Sequence, residues 1–185
     1  MRSTQLITGA LAVAASSALT GLGTAPGNAQ LPDGPLPDPM SPGVTHESGI
    51  MFDCTGTLGR QPVRVNLYEN RTYGNYIEAQ YGEGDRHEVS IAKQVKRPFL
   101  RDGTVRGKVA LAGKPLTVTG TVRATKSVKK IDDVIDDAGL RIRSVGTHRR
   151  YAHDLTVSYG KRSTTLVCDP AVAFRLKITK TSIDD

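Results

Sequence analysis

The chain has 185 residues, a length that fits one domain with tails, and its formal net charge is +7. Tryptophan is absent and only 5% of the residues are aromatic, which argues against a Trp-rich sugar-binding platform and against a large aromatic-lined pocket. Basic proteins of this kind tend to bind anionic polymers, such as nucleic acid, acidic glycans, wall polymers or anionic lipid head groups, although positive charge also serves solubility alone.

The first residues have the pattern of a secretory signal peptide. Arg2 supplies a positive start, residues 6–22 form an Ala/Leu/Val-rich run, and Gly27 and Ala29 take the −3 and −1 positions of a cleavage site. We therefore expect residues 1–29 to be removed and the protein to be secreted or associated with the cell envelope. A membrane anchor is the alternative, but the run is short and weakly apolar for one, and no later segment could cross a membrane.

A proline-rich segment follows the predicted cleavage site. Residues 30–48 contain five prolines among Gly, Asp and Ser. Such a segment favours extended conformations and forms neither a helix nor a sheet ladder. We therefore predict a flexible arm over residues 30–48, a β domain over residues 49–180 and a C-terminal tail over residues 181–185.

The predicted β domain shows apolar and polar residues in alternation, which is typical of strands with one buried face. The last predicted strand places Val172, Phe174, Leu176 and Ile178 on one side. Short turns between such segments predict an all-β antiparallel meander of about nine or ten strands. A meander of this size relieves its exposed edges by forming a closed or partly closed barrel, with a two-sheet sandwich as the alternative.

One hairpin is specified in detail by the sequence. Two alternating stretches flank Gly113-Lys114, and a glycine at the first central position suits a type II′ turn. That turn predicts a register with Leu111 opposite Leu116, which places apolar side chains against each other along the hairpin.

An acidic run lies after this hairpin. Asp132, Asp133, Asp136 and Asp137 could bind Ca²⁺ through their carboxylate oxygens, but the run lacks the alternating ligands and central glycine of a calcium loop. Acidic residues also complement the dipole in the first turn of a helix, so residues 130–138 are the candidate for a short helix. Three lysines just before the run can neutralise it locally.

The two cysteines, Cys54 and Cys168, predict one disulfide, because an even and small number of cysteines in an exported protein is typical of a bridge. The bridge would tie the first strand to the penultimate one across a loop of about 115 residues, which stabilises the fold by at most about 4–5 kcal/mol. Two free buried thiols are the alternative.

A weak metal-site candidate lies near the predicted tip of a later hairpin. His148 and His153, with the neighbouring carboxylate of Asp154, supply residue types that bind zinc. Their spacing is unspecific, and histidines in loops are usually solvated polar residues. We therefore expect neither a metal nor another cofactor.

Basic residues at outward strand positions are the most extended feature of the sequence. If the strands are adjacent, they form a basic surface suited to a polyanion, although any sheet needs polar outward residues and edge lysines also deter aggregation. Sparse aromatic residues disfavour nucleic acid bound by base stacking. The set consists of Arg106, Lys108, Arg123, Arg141, Arg143, Arg175 and Lys177.

These observations predict a binding or interaction domain rather than an enzyme, contacting an anionic envelope polymer or another protein. The sequence contains no Gly-x-Ser-x-Gly nucleophile elbow. Two alternatives stay open: a barrel that carries a small apolar ligand, which barrels of about eight strands can hold, and a hydrolase whose site the sequence does not reveal.

Overall fold

The computed structural model describes residues 41–83 and 88–183, so the predicted signal peptide and most of the predicted arm lie outside the described residues. Within the described part the secondary structure is entirely strand and turn, and no helix could span a membrane. The strands are β1 (Gly43–Leu58), β2 (Gln61–Asn70), β3 (Gly74–Tyr81), β4 (Val89–Val95), β5 (Leu100–Arg101), β6 (Thr104–Leu111), β7 (Lys114–Asp137), β8 (Leu140–Tyr159) and β9 (Arg162–Ser182).

The nine strands form one antiparallel sheet in the order β4-β3-β2-β1-β9-β8-β7-β6-β5. Every strand pairs with its neighbour in sequence except at β4 and β5, and the first strand also pairs with the last. The sheet curls into a half-barrel that is closed between β1 and β9 and open between β4 and β5. The all-β class, the meander and the partly closed barrel are confirmed, and the two-sheet alternative is wrong because a single sheet holds all nine strands.

The interior of the half-barrel is filled by the residues that alternation predicts to face inward. On β6, for example, buried Val105, Gly107 and Val109 alternate with exposed Arg106 and Lys108. Large side chains with 2% or less of their surface exposed come from both halves of the sheet and include Phe52, Leu58, Leu67, Ile77, Leu111, Leu116, Leu155 and Leu166.

The predicted β6–β7 hairpin forms, but its turn and register differ from the prediction. The turn residues are Ala112 and Gly113, with φ values of 46° and 74°, so both lie in the left-handed region that a type I′ turn requires. Leu111 therefore pairs with Lys114 and Val109 with Leu116. The register shifts by two residues, which keeps the same side chains inside.

The later strands are much longer than the sequence predicts, with 24, 20 and 21 residues in β7, β8 and β9. Beyond the half-barrel they continue as a four-stranded sheet, here called the extension, which comprises residues 43–49, 172–182, 140–150 and 128–137 in spatial order. Register shifts at Phe52/Cys54 in the β1–β9 pair, at Ala124/Val128 in β7–β8 and at Arg150/Leu155 in β8–β9 mark its junction with the half-barrel.

The extension corrects three predicted boundaries. Residues 43–48 belong to β1 rather than to the flexible arm, residues 130–137 are strand rather than helix, and β9 continues to Ser182 into the predicted tail. The physical reason is the same in each case, because the backbone groups of these segments bond to neighbouring strands that are distant in sequence. Such pairing overrides local preference.

Cys54 and Cys168 form the predicted disulfide, and the free-thiol alternative is therefore wrong. The two residues lie directly opposite each other on β1 and β9, so the bridge joins the first strand to the last one. The sequence pattern predicts two separate strands at residues 162–168 and 172–178, which makes the strand of Cys168 the penultimate one. In the structure both segments belong to the single strand β9. A disulfide of this kind indicates an oxidising, extracellular-type environment.

Replacing both cysteines by alanine should lower the free energy of unfolding by about 2–5 kcal/mol, because the bridge restricts the unfolded chain. Urea titration followed by circular dichroism measures the change. Val167→Ala is the matched control, since Val167 lies on the same strand with 70% of its surface exposed. A double variant with the same urea midpoint as the control would contradict this role of the bridge.

Candidate functional site

The sheet divides the predicted basic residues between two faces. Arg106, Lys108 and Arg123 lie on the outer face, because their neighbours along β6 and β7 point into the core. The register identifies the inner face of the extension, the face that continues the barrel interior. The core residue Ile50 pairs with Ala173, and Ala173 pairs with Arg149, so all three side chains lie on this face. Every second residue from these positions shares that face, and Arg141, Arg143, Arg175 and Lys177 are among them.

Register places two further cations on the same inner face. Arg175 lies opposite Thr147, which lies opposite Lys130, so Lys130 and Arg175 belong to one row across the extension. Lys177 follows Arg175 by two residues on β9, about 7 Å along the strand. We call Lys130, Arg149, Arg175 and Lys177 the cationic quartet.

The basic surface predicted from the sequence does not include Lys130 and Arg149. Lys130 fell in the segment assigned to a helix, and Arg149 fell in the predicted hairpin tip. The sequence did contain a signal for Arg149. This arginine follows Arg143 by six residues, and residues an even number apart on one continuous strand point to the same face. This spacing is informative only because β8 runs unbroken from Leu140 to Tyr159.

Two arginines of the inner face are already neutralised by aspartates. Arg143 donates to both carboxylate oxygens of Asp132 at 2.9 and 3.0 Å, and Arg141 binds Asp136 with the same two distances. Hydrogen bonds from the guanidinium groups hold the pKa of Asp132 and of Asp136 below the ordinary range. These pairs are solvent-exposed, so they orient side chains more than they stabilise the fold.

The cationic quartet differs from these pairs because no carboxylate lies within ion-pair distance of any of its members in the part of the chain that the structure describes. All four side chains belong to exposed residues. An open cavity of about 1180 Å³ lies between the extension and the mouth of the half-barrel, and Arg149, Arg175 and Lys177 line it. Three members of the quartet therefore line one cavity, and Lys130 lies in the same row as Arg175 beside it.

A polar network fastens the β1 edge of the extension to the half-barrel. The side-chain amide of Asn70 donates to the Glu47 carboxylate and to the Tyr68 hydroxyl, each at 2.7 Å. The backbone N–H of Arg71 donates to the Ser48 carbonyl at 3.0 Å. Burial raises the pKa of Tyr68 to about 12, so its hydroxyl stays protonated at neutral pH.

Glu69 fastens the other side of the mouth, across the gap between β4 and β5. Its carboxylate accepts the backbone N–H of Leu100 at 2.6 Å, while the carbonyl of Phe99 accepts the N–H of Arg106 at 2.8 Å. Burial raises the pKa of Glu69, and hydrogen bonds from the backbone of Leu100 and Phe99 oppose that shift. The carboxylates that line the cavity, Glu47 and Glu69, are thus both engaged in holding the fold.

The predicted hairpin tip that carried the metal-site candidate is wrong, because His148, His153 and Asp154 lie within β8. His148 and His153 are five residues apart on one strand and therefore point to opposite faces. His153 accepts the backbone N–H of Cys168 through Nε2 at 3.1 Å, and burial lowers the pKa of His148. The described residues contain no group of three His, Cys, Asp or Glu side chains that could hold a metal ion.

Tight packing in the half-barrel bears on the carrier alternative. Gly107 lies so close to the opposite wall that a Cβ added there would meet Leu67, Ile77 and Phe99 at 3.1 to 3.6 Å. Strands from opposite sides of the sheet therefore interlock across the interior. Such packing argues against a small apolar ligand held in the half-barrel itself.

Comparisons with known proteins give no guide to the role of this surface. No family model, curated protein or solved structure matches the chain.

Glu69→Ala should lower the free energy of unfolding by about 1–2 kcal/mol, because it leaves the N–H of Leu100 without its acceptor. Glu69→Gln retains an acceptor and removes a half-buried charge, so it should stay within about 1 kcal/mol of the wild type. Urea titration at neutral pH compares the two variants. A Glu69→Ala variant with the stability of the wild type would show that the carboxylate does not hold the β4–β5 segment.

Proposed function

We propose that this chain is a binding domain that acts outside the cytoplasm and holds an extended anionic polymer across the inner face of the extension. The observation that carries the proposal is the cationic quartet, which shares one concave face and has no acidic partner among the described residues. Exposed cations in this arrangement attract a polyanion and release its counterions on binding.

The shape of the site favours a polymer over a small molecule. The cavity is open, and the quartet follows strands that continue beyond it toward the tip of the extension. A chain with repeated phosphate, sulfate or carboxylate groups can lie along such a surface and contact several cations at once. A compact ligand would engage only part of it.

The composition of the surface favours an envelope polymer over single-stranded nucleic acid. Among the described residues, the three rows that contain the quartet combine its cations with Ser, Thr, Val, Ala, Ile, His and Asp, without Phe, Tyr or Trp. The cavity is also lined by Tyr151 and Phe174, whose rings pack against Phe52 and Tyr68 respectively. Single-stranded nucleic acid is usually held by aromatic rings that stack on its bases. An acidic glycan or wall polymer needs no such rings.

Two observations support the compartment. The Cys54–Cys168 bridge fits an oxidising environment, and the N-terminal residues have the pattern of a signal peptide. Both agree with a protein that meets its polymer outside the cytoplasm.

Binding rather than catalysis is proposed because the quartet supplies charge and hydrogen-bond donors. A hydrolase would need a nucleophile with its base, or two carboxylates free to exchange protons with substrate. The carboxylates of Glu47 and Glu69 instead accept hydrogen bonds that hold the fold together.

Removal of two quartet charges should weaken retention on a heparin column, with heparin serving as the model polyanion. Arg175→Gln/Lys177→Gln should elute at lower NaCl concentration. The slope of log K against log salt, where K is the association constant for heparin, should fall in magnitude by about 0.7 for each lost contact. The matched control is Arg106→Gln/Lys108→Gln, which removes the same charge at the same spacing from the outer face of β6.

Two results would contradict the proposal. One is elution of the wild type at low salt, which would show that the surface has little affinity for a sulfated chain. The other is an equal shift for the two double variants, which would show that net charge matters and the inner face does not.

A further inference from the structure

The extension has one long edge without a neighbouring strand in the part of the chain that the structure describes. β6 pairs with β7 only as far as Thr121, and the N–H of Val122 donates to the carbonyl of Gly103 at 2.8 Å. From Arg123 to Asp137 the backbone of β7 pairs with β8 only, and this pairing is interrupted at residues 125–127 by a register shift. Such an edge is a template for another strand.

The sequence of this edge is complementary to itself. Val128–Val134 reads Val-Lys-Lys-Ile-Asp-Asp-Val. In an antiparallel pair centred on Ile131, the numbers of opposed residues sum to 262, because 131 + 131 = 262. Lys129 of one copy then faces Asp133 of the other, Lys130 faces Asp132, and Val128 faces Val134.

Charges on an exposed edge often serve only to prevent association. Charged residues of either sign can prevent such association, and a run of like charges prevents it most effectively. Here the lysines precede Ile131 and the aspartates follow it at mirrored positions, so antiparallel self-pairing brings opposite charges together at four contacts. The two Lys129–Asp133 contacts use aspartates outside the ion pairs, whereas in the two Lys130–Asp132 contacts Asp132 also binds Arg143. Opposite charges directly across a strand pair stabilise it, whereas like charges destabilise it.

We propose that two copies of this chain pair antiparallel along the β7 edge, in the register that places Ile131 opposite itself. The pairing is isologous, since the same patch of each copy meets its own counterpart about a two-fold axis. It satisfies backbone groups of both edges and joins the two extensions into one continuous eight-stranded sheet.

Burial and length fit this arrangement. Val128 and Val134 are 49% and 54% exposed, which is high for large apolar residues on a strand, and cross-strand Val–Val contacts would cover them. The paired segment, residues 128–134, lies between the register shift of β7 at Ala124/Val128 and the turn at Ala138. It therefore ends before Val122, where Gly103 bonds to the same edge.

The paired extensions would present their binding faces together. Residues directly opposite each other in a sheet share a face, so the two inner faces lie on the same side of the joined sheet. The two inner faces then form one longer surface that carries Arg149, Arg175 and Lys177 of both copies, while Lys130 of each copy faces Asp132 of the other. The pairing itself does not depend on any polymer, so the two proposals can fail separately.

Two single charge reversals test the pairing. In Lys129→Glu two Lys–Asp contacts become Glu–Asp contacts, and in Asp133→Lys they become Lys–Lys contacts. The dimer dissociation constant, measured by sedimentation of the full mature chain, should rise about tenfold or more in each variant. An equal mixture of the two variants restores both contacts and should form a heterodimer with wild-type affinity.

These positions suit the test because the relevant side chains are exposed, and Asp133 takes no part in the ion pairs with Arg141 and Arg143. Unchanged thermal unfolding of each variant shows that the fold is intact. Lys108→Glu is the control, since it reverses a charge on the outer face of β6 and should leave the dissociation constant unchanged.

A cysteine pair tests the register. Val128→Cys mixed with Val134→Cys should form an intermolecular disulfide under mild oxidation, whereas either variant alone should not, because each new thiol then faces a valine. A wild type that sediments as a monomer up to high micromolar concentration would overturn the proposal. So would a mixture of the two charge variants that stays monomeric, or cross-linking of Val128→Cys with itself.

Discussion

The pairing of the first strand with the last is the constraint on which the rest of the structure depends. β1 and β9 adjoin over almost the whole of β1, and the Cys54–Cys168 bridge lies within that pair. Because the ends of the meander meet there, the opening of the half-barrel falls at β4 and β5. Glu69 and the Phe99–Leu100 backbone hold that opening, which lets a packed core form without a fully closed ring.

The same pair carries the chain beyond the core. β1 begins at Gly43 and β9 ends at Ser182, so both continue past the half-barrel and provide the neighbours on which β8 and β7 build the extension. One face of this sheet continues the barrel interior, yet beyond the core it carries exposed cations among small polar and apolar side chains. The charged surface therefore forms because these strands extend beyond the packed core of the half-barrel. Its cations are the basis of the proposed polymer binding.

Much of the half-barrel could be predicted from the sequence because period-two alternation is local. The strand with buried Val105 and Val109 shows this, and the disulfide followed from there being two cysteines. The extension could not be predicted, because residues 43–48 and 130–138 resemble an arm and a helix start until their distant partners are known. The pairing with distant strands also determines which side chains point to the same face, and it places Arg149 and Arg175 on one face. The left-handed conformation of Ala112, rare for a residue with a Cβ, moved the hairpin register.

Cross-strand proton contacts in the nuclear Overhauser spectrum of the mature protein test the central pairing most directly. The register places Ser48 opposite Arg175, and Arg175 opposite Thr147. The account predicts backbone contacts between each of these pairs, which fix β1, β9 and β8 as neighbours with the quartet on one face. Contacts of Ser48 to its sequence neighbours alone, as in a free arm, would contradict it.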